Sequence, residues 1–138
     1  MFFPGREVSQ CAQPVVADDL VVGRIYFMVN YDDDDLLIPT LEPVVFLGKN
    51  IVDYRNDQES DDIFYFQDYS SHRNGVPHRA YEEPVSEGGS EEHLIRAVFH
   101  DGTERMLSMV FDFNHALDSL LGCSLRRAEG SGMAAGAQ

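Results

Sequence analysis

The sequence predicts a mainly β, or α+β, domain: a small antiparallel arrangement of four to six strands, as a partly open barrel or a twisted sheet, with one C-terminal helix. Three observations carry this. Residues 21–50 read VVGRIYFMVNYDDDDLLIPTLEPVVFLGKN, two runs rich in β-branched and aromatic residues on either side of four consecutive aspartates. An Asp101-Gly102 dipeptide lies between two apolar segments, the pattern of a tight hairpin. Helical spacing of large apolar residues occurs in one place, after Asp112.

Residues 1–19 read as an arm, broken by Pro4-Gly5 and Pro14, with Val15-Val16 available as a short edge strand. The first strand is expected over about Val22 to Tyr31. By period two, Ile25, Phe27, Val29 and Tyr31 share one face and Tyr26 and Met28 the other. Both faces are then apolar, which suits a strand covered on each side. Asp32 to Asp35 must form an exposed turn, because adjacent carboxylates repel and need hydration. Pro39 and Pro43 remove ladder donors, so 36–43 reads as an irregular or edge piece before a strand at Val44 to Leu47, closed by Gly48.

A polar loop then leads to a strand at Ile63 to Phe66. Residues 68–92 hold two prolines, three glycines and few large aliphatics, and form a long loop. The expected hairpin is Leu94 to His100 against Arg105 to Phe111. Asp112 or Asn114 then caps a helix that presents Phe113, Leu117, Leu120 and Leu121 on one side, with Gly122 a possible stop. The domain therefore spans 20–127, and 128–138, small and aperiodic, is a flexible tail. Segments of this length, with a glycine near the start of the first strand and another after the third, resemble SH3-like small barrels in outline. That resemblance implies an architecture and no activity.

With 138 residues and 43% hydrophobic content, the chain is one domain's worth with ample core material. Its charge is unusual: 24 acids against ten bases give a formal net charge of −14. Such a field repels phosphate backbones, so nucleic acid is not an expected partner, whereas a basic protein or peptide is. The opening MFFPGREVSQ lacks the apolar core of a secretory signal, and no run is long enough for a bilayer. A cytoplasmic location is expected, with Cys11 and Cys123 as reduced thiols. One lysine against nine arginines fits a GC-rich bacterial genome.

No reaction is legible. The acidic run fails the EF-hand pattern: counting from Asn30, glycine is missing at the sixth place and Leu41 stands where the closing Glu belongs. His72, His78 and His93 lie in or beside the long loop with Asp68, Glu91 and Glu92. They permit a metal-assisted hydrolase as the alternative function, but no zinc-ligand spacing occurs. Ser70-Ser71-His72 near Asp68 is too local for a triad. The preferred reading is a small acidic non-enzymatic binding module without cofactor or metal. Its contact residues are expected to be Asp32, Asp33, Asp34 and Asp35 with the loop tyrosines Tyr69 and Tyr81, since strand aromatics fill the core.

Overall fold

The computed structural model describes residues 1–2, 4–9, 11–51, 61–78 and 97–136, with side chains of the last helix described to Gly130. Five strands form one antiparallel sheet: β1 (Ile25–Tyr31), β2 (Pro39–Lys49), β3 (Phe64–Asp68), β4 (Phe99–Gly102) and β5 (Val110–Phe111). A short helix α1 (Tyr69–Arg73) follows β3, and a long helix α2 (Phe113–Gly136) ends the chain. The strand order β4-β3-β2-β1-β5 leaves β4 and β5 on opposite edges, so the sheet is open.

Both faces of the sheet are covered, as the double-sided pattern of β1 requires. On the first face Tyr26, Met28, Val44, Phe46, Phe64 and Phe66 are buried with Leu107 and Val110. Val15, Ala17 and Leu20 of the N-terminal arm pack over them. On the second face Phe27, Val29, Tyr31 and Leu41 meet Phe111 and Ala116 at the start of α2. The arm joins the two sides. Arg6 reaches Asp118 on α2, Ala12 packs in the second cluster, and Val15 donates its N–H to the carbonyl of Val110 at 2.8 Å, covering the β5 edge.

Pro39 and Pro43 lie inside the eleven-residue β2, where residues 39–43 pair with β1 alone: of the two readings of 36–43, irregular or edge, the edge one fits this stretch, and the prolines do not interrupt its ladder. The reason is parity. Phe46 N–H bonds to Arg24 and Asp32 N–H to the Ile38 carbonyl, so the even-numbered residues of β2 face β1. The prolines are odd-numbered and turn their nitrogens away from β1. On that side pairing with β3 begins only at Val44, so no ladder donor is lost.

Beyond it the register shifts between Phe46 and Gly48, leaving Leu47 as a bulge. Gly48 adopts φ 144°, and a Cβ there would lie 2.6 Å from Ile51 Cγ2. Gly48→Ala should therefore destabilise the fold by about 1–3 kcal/mol through backbone strain and overlap. A denaturation midpoint equal to wild type would contradict this.

The Asp101-Gly102 hairpin does not form. Both residues belong to β4, which pairs with β3, whereas β5 pairs with β1 at the far edge. A hairpin would put both segments on one edge, so the chain instead crosses the first face. The crossing is a 3-10 helix, Glu104–Met109, where a strand was expected, and it drops Leu107 into the core.

The C-terminal helix begins where predicted: Asp112 Oδ1 accepts the His115 N–H at 2.9 Å. Two features differ from expectation. It continues past Gly122 to Gly136, taking in residues 128–136 that composition assigned to a tail. It is also turned. Ala116, Ser119, Gly122 and Cys123 are buried, while Leu117 and Leu120 face outward and Phe113, though exposed, meets the Phe27 ring edge-on at 5.2 Å. The inward face instead carries Ala116, which packs with Val29 and Phe111, and Asp118, which pairs with Arg6 of the arm at 2.7 Å.

Candidate functional site

The acidic turn joins β1 to β2, and its four aspartates have two different roles. Asp33 is half-buried and points into the turn. Its carboxylate accepts the Leu37 N–H at 3.0 Å and the Ile38 N–H at 2.8 Å. Partial burial opposes its charge, but these backbone donors outweigh that and hold its carboxyl below the usual range, with Arg127 adding a favourable field. Asp32, Asp34 and Asp35 are exposed, and among the described residues their carboxylates form no ion pair.

Helix α2 fixes this turn from outside. The Arg126 guanidinium donates twice to the Leu36 carbonyl, at 2.7 and 3.2 Å, and Arg127 Nε donates to the Leu37 carbonyl at 3.0 Å. Leu36 itself sits at φ 58°, a left-handed conformation unfavourable for a side chain with a Cβ. A non-glycine residue persists there only where its surroundings over-determine it, as these arginine bonds and Asp33 do. Three outward carboxylates are thus mounted on a rigid loop.

Behind the turn, Cys123 is buried and donates to the Leu36 carbonyl at 3.6 Å, with Arg126 Nη2 3.3 Å from its sulfur. Burial pushes the Tyr31 phenol up, and the neighbouring Cys123 adds to this while Arg126 offsets part of it. The thiol therefore reads as part of the support. Cys11 is exposed, and both cysteines are free.

The other predicted contact residues are not all brought here. Tyr69 is half-buried in the first turn of α1, next in sequence to Asp68, which pairs with Val44. The acidic turn lies five β2 residues further along, about 17 Å at ~3.4 Å per residue. Both features are at the same end of the sheet, yet separate. Tyr81 lies outside the described residues, as do His93, Glu91 and Glu92.

Ser70-Ser71-His72 proves to be a cap. Asp68 accepts the Ser71 N–H at 2.9 Å, the Ser71 hydroxyl and the Val98 N–H at 2.8 Å. Burial opposes ionisation of Asp68, but these donors prevail and its carboxyl is lowered. Ser71 also accepts from the buried Gln67 amide at 2.9 Å. Gly75 at φ 75° ends α1 in a Schellman arrangement, with Val76 N–H to Ser71 O and Gly75 N–H to His72 O.

Three of the described histidines, His78, His100 and His115, lie beside carboxylates. His78 is 3.3 Å from Asp101 and edge-on to the rings of Tyr65 and Phe99; His100 is 3.0 Å from Glu42; His115 is 2.8 Å from Asp112. A cleft of about 410 Å³ beside His78 is lined by Leu47, Ile51, Gln67, Val76 and Pro77. Among the described residues no three His, Cys, Asp or Glu side chains gather as a metal site. No helix among them is long and apolar enough to cross a membrane.

Sequence reasoning found the exposed acids but missed Asp33's inward role, the Arg126 and Arg127 clamps and the outward apolar face of α2. The spacing of Phe113, Leu117 and Leu120 on one side of the helix is visible in the sequence, but not that this side is exposed. No family model, no curated protein and no solved structure matches this chain.

Proposed function

We propose that this chain is a non-enzymatic interaction module that engages a basic protein or peptide through Asp32, Asp34 and Asp35. One observation carries the reading: Asp33, Arg126 and Arg127 lock the turn while its other three carboxylates point outward. Preorganised charge loses little freedom on binding and attracts an oppositely charged partner at long range. The net charge of −14 reinforces that field. Free thiols at Cys11 and Cys123 support a cytoplasmic setting.

The test replaces Asp32, Asp34 and Asp35 together with asparagine, keeping Asp33, and measures binding of an arginine-rich peptide across a salt series. Three exposed charge contacts at ~0.2–1 kcal/mol each predict an affinity loss of about tenfold and a shallower salt slope. Equal affinity and equal slope in wild type and variant would remove this surface from the account.

A further inference from the structure

Helix α2 carries its large apolar residues on the wrong side for a free monomer. Phe113 is 72% exposed, Leu117 41%, Leu120 46% and Leu125 56%, while Ala116, Ser119 and Cys123 are buried beneath them. The first three recur at a spacing of four and three, the seam of a helix that meets another helix. Between Phe113 and Leu125 the outward residues include no charge: Asn114 and Ser124 are the polar members. In a chain of net charge −14 such a neutral apolar strip marks an interface core.

We infer that this strip binds an amphipathic basic helix of a partner protein, whose apolar face lies on Phe113, Leu117 and Leu120 and whose Lys or Arg residues meet the acidic turn. The inference rests on the proposed function and deepens it by naming the partner's form. Two arguments choose this occupant over a second copy of the chain. The strip offers on the order of 400 Å² of apolar surface, about half of the ~800 Å² per partner in a standard interface, so apolar contact alone is too small. The missing share must come from its surroundings, where the exposed Asp32, Asp34 and Asp35 outnumber Arg126 and Arg127, whose guanidinium groups are turned onto the Leu36 and Leu37 carbonyls. Arg126 and Arg127 tie the C-terminal end of the strip to the turn bearing Asp32, Asp34 and Asp35. Leu36 and Ile38 on that turn are exposed as well. A second copy would bring like charge to this place, whereas a cationic amphipathic helix complements both parts.

The experiment uses the full chain and a fourteen-residue synthetic helix with leucine on one face and lysine on the other, and a scrambled peptide of the same composition. Affinity is read by fluorescence anisotropy and mass by sedimentation at several concentrations. The expected result is that Leu117→Ser/Leu120→Ser weakens the amphipathic peptide at least tenfold, leaves the scrambled peptide unaffected, and does not lower the melting temperature. Leu117→Asn/Leu120→Asn provides an independent variant of the same face. Unchanged affinity of the leucine variants beside weakened binding by the Asp32/Asp34/Asp35 variant would overturn the helix-docking inference and leave the acidic surface standing. Unchanged affinity in both sets would overturn the two together. A mass that rises with concentration and returns to monomer in Leu117→Ser/Leu120→Ser would assign the strip to a second copy and overturn the proposal.

Discussion

Phe66→Ala should lower the stability of the fold by about 3–5 kcal/mol, the range for removing a fully buried aromatic side chain. Phe66 is 0% exposed and sits midway along β3. Its ring meets Tyr26 edge-on at 6.4 Å and Phe46 at 5.2 Å, so it links the three central strands β1, β2 and β3. Truncation forfeits the transfer free energy of the ring and leaves a cavity between strands whose backbones are pinned by their ladders. Domains of this size are stable by only ~5–15 kcal/mol, so the variant should be near its unfolding limit at physiological temperature. Chemical denaturation measures this; a loss under 1 kcal/mol would mean that the first face of the sheet is not the core described here.

Asp68→Ala comes next, with an expected loss of about 2–4 kcal/mol. The carboxylate caps α1 and also holds Val98 just before β4, so its removal costs about 0.5–2 kcal/mol for the cap and leaves further donors unpaired. A pH signature accompanies it. The folded-state pKa of Asp68 is lowered below its unfolded value, so its ionised form stabilises the native state fully above the ordinary Asp range. That contribution is lost as pH falls from about 5 through the lowered folded value. Asp33 and Asp112 are lowered in the same direction, again by backbone donors that outweigh burial. Wild type should therefore lose stability steeply in acid, and Asp68→Asn should show a shallower slope over the same window. Superimposable pH profiles for the two proteins would contradict the role given to this carboxylate.

Strand β1 was legible because its apolar residues alternate between two faces, and β2 and β3 because Val44 to Leu47 and Ile63 to Phe66 are short continuous β-branched and aromatic runs, buried on both sides at Val44 to Phe46 and Phe64 to Phe66. The double-sided pattern of β1 even implied covers on both faces. What was not legible depended on partners distant in sequence. The Asp-Gly dipeptide at 101–102 has the local grammar of a hairpin, but which edge each neighbouring segment joins is decided by the open positions beside β3 and β1. Pro39 and Pro43 looked disruptive because the direction of a strand nitrogen is fixed by register, which a sequence does not display. For α2, position and cap were readable, but the inward face depends on distant partners, Phe111 and Val29 against Ala116 and Arg6 against Asp118.

The candidate site divides the same way. Four adjacent aspartates had to be solvated as a group, yet one turned inward because Leu37 and Ile38 offered unpaired N–H groups within reach. The arginines that clamp the turn lie some ninety residues away in sequence. Tyr69, expected in a loop, lies half-buried in the first turn of α1, and its distance from the acidic turn depends on the length of β2, which the sequence does not display.

The most direct measurement is an amide chemical-shift map of the full chain titrated with an arginine-rich peptide. The account predicts perturbations centred on residues 32–38, spreading to the Arg126 and Arg127 turn of α2, and fading as salt rises. Saturable shifts centred on the His78 cleft or the β4 edge instead, with residues 32–38 unmoved, would contradict it.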